Sequence, residues 1–423
     1  MNQNEIIFEY GGTSKKLIFP ILMGFFSSSA IVFISLLNSM KFIHPFFIIA
    51  TLFFSETFIF FFFIITKKLS HSSEIPQKVT KTSNISNVFI PIHLNNSLEI
   101  LPGKDKLKLF LMILPLCLFE YSSTLCSSVL RETNVSFLEL IIKVLLIVFT
   151  TGLSSLILKY RYHKHHLVAV IILLIGVVIF TILEFVYGFM NIPKESTIIA
   201  KYFFLSILYQ LITSLQECFE KCLMEKKFVH PHVLVSFEGF TGTICLIISF
   251  FVLKGIDCPE EAHVLCNPDE KYNNKYENFI ITMNEILNDF TYILIFIGLF
   301  ISFMLYNVFR SLTNFNFSPA HRAIADNISF MLTWISKLLI RPIMMNKEHV
   351  NFGYYFFAII ALSIMMIAVS IYLEIIIVNV FGIGNNTQKK IEGRETNEKF
   401  NDVVSLRLTE QIDVHKQENN TSF

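Results

Sequence analysis

The sequence predicts an all-α integral membrane protein of ten membrane-spanning helices. Three observations carry that expectation. Of 423 residues, 53% are hydrophobic and only 16% charged, with mean hydropathy +0.58, far more apolar surface than a soluble core can bury. The apolar residues come in runs long enough to cross ~30 Å of hydrocarbon at ~1.5 Å per helical residue. Those runs do not alternate as a spanning strand must, so helix is the default for each. The net charge of +1 supplies no basic field, which argues against a nucleic-acid partner.

Residues 1–16 form a short polar segment. The first half, 17–190, holds spans at 17–39, 45–66, 107–130, 135–158 and 166–189, with a Ser-, Asn- and Lys-rich polar loop at 67–106. The second half, 191–382, holds spans at 197–224, 233–253, 290–310, 319–341 and 352–380, with a loop at 254–288. A polar tail, 383–423, has no sustained apolar face. An even number of spans puts both termini on one side. Lys15, Lys16, Lys67, Lys68, Lys78, Lys81, Lys159, Arg161, Lys164, Lys226, Lys227, Lys389 and Lys390 share that side, while Asp257, Glu260 and Glu261 lie opposite. The positive-inside rule therefore makes both termini cytosolic. The sequons at Asn84 and Asn95 then face the cytosol and go unused.

The 254–288 loop is lumenal in this topology. Its Cys258 and Cys266 can pair in an oxidising compartment and are a disulfide candidate. A metal site there, using His263, lacks a fourth ligand. The basic turn Arg161–His166 could suggest metal or lipid phosphate, but basic residues at a cytosolic membrane edge are what topology requires. Neither a metal nor a cofactor is expected. No Walker loop, GxSxG or HExxH motif occurs in a suitable context.

Polar groups recur inside the spans. Glu56 lies in span two and Glu120 in span three. Glu139 and Lys143 are in span four, Gln210 and Gln216 in span six, and Asn307 in span eight. Arg322 and Asp326 are in span nine and Glu374 in span ten. A charge at this depth costs ~2.5–3.5 kcal/mol on insertion scales, so such residues line protein interiors or wet paths. Local explanations exist for single members. Glu139 with Lys143, and Arg322 with Asp326, are spaced i,i+4 and can neutralise each other. Gln210 and Gln216 can act as interhelical glue. As a set they are better explained by one wet cavity near the midplane. Spans four and nine run oppositely, each carrying its charges in the half where it enters, as an inverted repeat produces. Lys143 is the expected centre of that cavity.

These residues sit in segments that resemble a known family. The run HPFFIIATLFFSE (44–56) resembles the second-helix signature of the nucleotide-sugar-transporter-like branch of the drug/metabolite transporter (EamA-like) superfamily, solute carrier family 35, close to its F-type member-six group. LPLCLFEYSSTL (114–125) is similar to that group's helix three, with Glu120 where an Asp is usual. IIKVLLIVFTTGLS (141–154) resembles helix four, with Lys143 in place of an Arg and Val144 in place of a Gly. The basic turn and LLIGVVI (173–179) resemble helix five. YQLITSLQECFEK (209–221) resembles a Gln-x5-Gln-x3-Glu pattern carried by Gln210, Gln216 and Glu220. FEGFTG (237–242) resembles a Glu-Gly segment, and 306–334 resembles helices eight and nine through Asn307, Arg322, Asp326 and Trp334. Ser329 and Leu140 depart from the pattern, at positions usually basic and Gln.

The resemblance implies two inverted five-helix halves, a central cavity, alternating access and an intracellular membrane of Golgi, endosomal or lysosome-like type. The expected function is transport of a small charged or polar metabolite, not catalysis. Lys143 and Arg322 would meet an anionic solute or balance internal acids, and Glu120 and Glu56 would couple protons or cations. The expected partners are a small-molecule substrate and lipid, and a homodimer is compatible. A non-transporting receptor or scaffold, and an intramembrane enzyme, are the rival readings.

Overall fold

The computed structural model describes residues 17–40, 42, 44–72, 103–132, 136–160, 162, 164–186, 196–227, 229–256, 279–344 and 352–376. Every regular element among them is an α-helix. In chain order these are α1 (Ile18–Ser39), α2 (Pro45–Ser72), α3 (Gly103–Glu132), α4 (Ser136–Ile157), α5 (Lys164–Val186), α6 (Ser196–Lys226), α7 (Pro231–Leu253), α8 (Phe279–Asn288), α9 (Phe290–Asn316), α10 (Pro319–Met344) and α11 (Phe352–Tyr372). Seven of them, α1, α2, α3, α5, α7, α9 and α11, are long and apolar enough to cross a bilayer. The chain is a multi-pass membrane protein. Phe25, Leu111, Ile171, Val178, Phe204 and Phe251 are exposed on the outside of the bundle, an apolar surface that water would not tolerate but lipid does.

The helices depart from the expected spans where polar residues mislead. The 254–288 loop contains α8, whose Phe279, Ile280, Met283, Ile286 and Leu287 repeat at three- and four-residue spacing and bury Ile286. The expected end of span eight at Arg310 is not an end: α9 continues to Asn316, with Ser311, Thr313 and Asn314 fully buried. There polarity signals a protein interior rather than the membrane edge. Conversely, α11 stops at Tyr372, short of the expected 380. Glu374 follows it in the left-handed region at φ 57°, with its N–H on Ile371 O and the N–H of Ile375 on Ser370 O. That is the hydrogen-bond pattern of a Schellman cap, so Glu374 is past the helix rather than inside it.

Caps and glycines set other boundaries. Asp289 Oδ1 accepts from Thr291 N at 2.8 Å to begin α9. Before α7, Pro231 follows His230, whose Nδ1 accepts from His232 N at 3.2 Å. Burial, with His232 beside it, pushes the His230 imidazole down to about 2, so the cap is a neutral ring with a lone pair to offer. On α7, Gly239 and Gly242 permit a close approach of α2. A Cβ on Gly239 would stand 2.5 Å from both Glu56 Cβ and Thr57 N, and one on Gly242 would enter the Phe53 ring.

Pairing is dense. α2 packs along α7, α5 along α11, and α4 against α10. α1 lies between α9 and α10, and α6 lies between α3 and α4. α2 also meets α9, and α3 meets α7. One apolar core joins α4, α5, α10 and α11 through Leu146, Leu173, Ile324 and Met365. A second joins α1, α2, α8 and α9 through Leu37, Ile48, Ile286 and Leu299. A third joins α3, α6 and α7 through Leu116, Leu223 and Leu234. The polar residues of α2, α3, α6, α7, α9 and α10 are left facing one another inside the bundle.

Candidate functional site

The site is a buried charge network centred on Arg310 and Arg322. Arg310, 5% exposed, extends from α9. Its Nη1 donates to Glu120 Oε1 of α3 at 3.1 Å, and its Nη2 donates to Glu238 Oε2 of α7 at 3.3 Å. The same Nη2 lies 3.6 Å from Glu220 Oε1 of α6. Arg322, from the first turns of α10, donates through Nη1 to Glu220 Oε2 at 2.7 Å. Its Nε is 3.4 Å from Glu217 Oε1. Glu220 thus bridges the two guanidinium groups with one oxygen each. The planar fork of arginine suits this: several carboxylates can be met in fixed directions by one cation.

Neutral side chains complete the network. Gln216 Nε2 donates to Glu220 Oε1 at 3.0 Å and to Glu120 Oε2. Asn314 Nδ2 donates to Glu220 Oε2 at 2.9 Å and to Glu217 O at 3.2 Å. Beside it, Thr150 of α4 donates to Ser214 Oγ of α6 at 3.1 Å. Helix α6 supplies most of the network because Gln216 and Glu220 are one turn apart, and Gln210, Ser214 and Glu217 follow the same 3.6-residue period.

Electrostatically the network is lopsided. Glu56, Glu120, Glu217, Glu220 and Glu238 are all buried, and among the described residues Arg310 and Arg322 are the two arginines that face them. Glu56 is fully buried and neither of its oxygens has a hydrogen-bond partner. It lies within electrostatic reach of Glu120, Glu220, Arg310 and Arg322. It is held there by contact between α2 and the bare face of Gly239. Glu238 Oε1, Gln210 Oε1 and both polar atoms of Asn307 are also buried without partners. Buried ions are tolerated only when paired, so unpartnered carboxyls here imply bound protons, an incoming cation or entering water.

Of the residues singled out in the sequence, Glu56, Glu120, Gln210, Gln216, Asn307, Arg322 and Asp326 are all buried. Glu120, Gln216 and Arg322 belong to the network directly. The local pairing of Arg322 with Asp326 is corrected: Arg322 reaches across to α6 because Glu217 and Glu220 lie nearer its guanidinium. Glu139 and Lys143 lie on α4, but their side chains are outside the described residues, so the expected centre at Lys143 has no geometry here. Cys258 and Cys266 also lie outside the described residues.

Arg310, Glu217, Glu238 and Asn314 are network residues that sequence reasoning did not single out as site residues. Arg310 was disguised as a topological flank at the end of an apolar run. Glu217 lies inside span six beside Glu220, but outside the Gln-x5-Gln-x3-Glu pattern that drew attention to Glu220. The signal that could have found Arg310, Glu217 and Asn314 is the density of polar and charged side chains in 216–225 and 307–326, directly continuous with apolar runs. Glu120, Glu220 and Glu238 also offer carboxylate oxygens within 4.8 Å of one another, a spacing that suits a cation. Arg310 contacts all three, so its guanidinium stands where a metal would.

No protein-family model matches the chain, and no curated protein matches it. Among solved structures, one described as "Crystal structure of protein" superposes with a TM-score of 0.45 at 8% identity, covering 86% of this chain and 99% of that one. A likeness at that level leaves fold and function to be argued from the chain's own residues.

Proposed function

We propose that the chain is an alternating-access transporter that moves a small charged or polar solute in exchange for protons bound at Glu56 and its neighbours. The observation that carries this is Glu56: a buried carboxyl with no hydrogen-bond partner, next to a network richer in acids than in guanidinium groups. A purely structural network would be expected to satisfy its members. A carboxyl left without a partner is instead suited to hold a proton in one state and a cation in another. The acid surplus favours a cationic or zwitterionic solute. Of the two roles expected for Arg322, balancing internal acids is the one its contacts support, rather than meeting an anionic solute.

Alternating access needs two halves that can rock. The helix pairings support such a division. If α1–α5 form one half and α6, α7, α9, α10 and α11 the other, each major contact has a counterpart. α1–α9 answers α6–α3, α1–α10 answers α6–α4, and α2–α9 answers α7–α3. α2–α7, α4–α10 and α5–α11 map onto themselves. That is the pattern of a two-fold inverted repeat with ten spans, in keeping with the drug/metabolite transporter resemblance. In this reading both termini are cytosolic, which the bias of lysine and arginine supports, and the membrane is intracellular, as the family resemblance implies.

The test is a ligand-stabilisation screen on purified protein, followed by uptake into proteoliposomes with an imposed pH gradient. Cationic and zwitterionic metabolites are expected to raise the melting temperature of the wild type. Glu56→Gln is expected to keep the fold but lose both the shift and gradient-driven uptake. Stabilisation by anionic metabolites alone, or full proton-driven uptake by Glu56→Gln, would overturn the proposal.

A further inference from the structure

Outside the charge network, the fold gathers a second set of titratable side chains at the end of the α5–α11 pair. His165 and His166 open α5, and both are buried, at 3% and 8% exposure. Glu374 follows α11 and turns back toward them because its backbone is in the left-handed region. His165 Nε2 lies 3.0 Å from Glu374 Oε1. One ligand atom from each of His165, His166 and Glu374 falls within 4.8 Å of the others. The His165 and His166 rings have centroids 3.9 Å apart. A third imidazole, His321 of α10, stands 5.6 Å from His166, centroid to centroid. Its Nδ1 is held by Ser318 Oγ at 2.7 Å, which leaves Nε2 as its second nitrogen. Tyr372 closes the wall, its ring 4.6 Å from His166 and 4.8 Å from His321.

We propose that His165, His166 and Glu374 hold a divalent transition cation of the zinc class, with His321 the nearest further donor, as a resident tie between the start of α5 and the end of α11. The donor set selects the metal. Two imidazoles and one carboxylate suit zinc and its neighbours, whereas calcium and magnesium take oxygen ligands. Ligands must close from this spacing to bonds of about 2.0–2.2 Å, and rotation of the half-buried Glu374 about its side-chain bonds provides the adjustment. Glu374 is 21% exposed in its side chain, so an ion can enter from the aqueous end. The location gives the tie a purpose. Along the membrane, α5 and α11 are joined by apolar contacts such as Gly176 with Met365 and Ala361, and the ion would add a polar bond at the aqueous end, where Tyr372 packs on His166.

The experiment uses full-length protein with any histidine tag removed, stripped with chelator and reloaded with zinc or magnesium. Metal content and melting temperature are read together. About one equivalent of zinc is expected to remain after gel filtration and to raise the melting temperature, with magnesium doing neither. His166→Gln and Glu374→Gln are each expected to lose the bound zinc and the zinc-dependent shift while melting like the stripped wild type. Cobalt in the wild type is expected to give the visible bands of a tetrahedral or five-coordinate site, a readout that survives even if a variant fails to fold. Zinc content far below one equivalent after reloading, zinc retained in full by either variant, or cobalt bands of a fully hydrated ion would each overturn the site. None of these readouts involves transport, so they stand or fall apart from the role of Glu56.

Discussion

Arg310 gives the sharpest test of the charge network. Replacing it by methionine keeps most of the side chain's length and removes the guanidinium. Glu120 and Glu238 then lose their counter-charge, and Glu220 keeps only Arg322. Their oxygens lie within 4.8 Å of one another, so the repulsion is short-range and poorly screened. Removing one partner of a buried ion pair costs about 3–5 kcal/mol, because the other charge is left desolvated. Arg310→Met is therefore expected to lose about 3–5 kcal/mol at neutral pH, measured by equilibrium unfolding in mixed micelles. Arg310→Lys should fall between, since an ammonium cannot meet three carboxylates from fixed directions. The deficit should shrink on acidification, because protonated carboxyls need no counter-charge. It should also shrink when Glu120→Gln and Glu238→Gln are added to Arg310→Met, a coupling that a double-mutant cycle reads directly. A loss under about 1 kcal/mol for Arg310→Met, the range of solvent-exposed pairs, would refute the reasoning: the network would then be wet rather than buried.

Two further outcomes follow from packing. Gly239→Ala drives a Cβ to 2.5 Å from Thr57 N, a backbone atom that cannot swing away, so it should cost about 1–3 kcal/mol of overpacking. Gly152→Ala meets nothing within 4 Å and should be neutral or stabilising by up to about 1 kcal/mol, the helix-propensity gain. Thermal melts of the two variants side by side check both. Thr150→Val removes the hydroxyl that bonds Ser214 between α4 and α6, and should cost about 0.6 kcal/mol, the average for interhelical bonds in membranes. The same substitution in a Ser214→Ala background should cost much less.

Much of the fold was legible along the chain. Each apolar run predicted a helix, and every expected span overlaps one that is present. Boundaries failed where a single rule, polar means edge, met polar residues in protein interior. The stretch 311–316 was read as leaving the membrane yet continues α9 as a buried helix, while Glu374 was read as inside a span yet caps one. The candidate site was legible in part. Glu56, Glu120, Gln216 and Arg322 stood out because a lone charge in an apolar run is expensive. Arg310 and Glu217 did not, because each lies beside other polar residues near the end of a run.

By itself, then, the sequence determined that this protein crosses a membrane repeatedly as helices, since the length and apolarity of each run are local properties that the bilayer reads directly. It also determined that charges lie within those helices. Only the tertiary structure decided which charges meet. Glu120, Glu220, Glu238 and Arg310 come from four helices and are up to 190 positions apart in the chain. They converge because Gly239 lets α7 touch α2 and because α6 passes between α3 and α4. Pairing across such distances is set by helix packing, which no local pattern encodes. For the same reason Arg322 pairs between helices, with Glu217 and Glu220, rather than locally with Asp326 within α10.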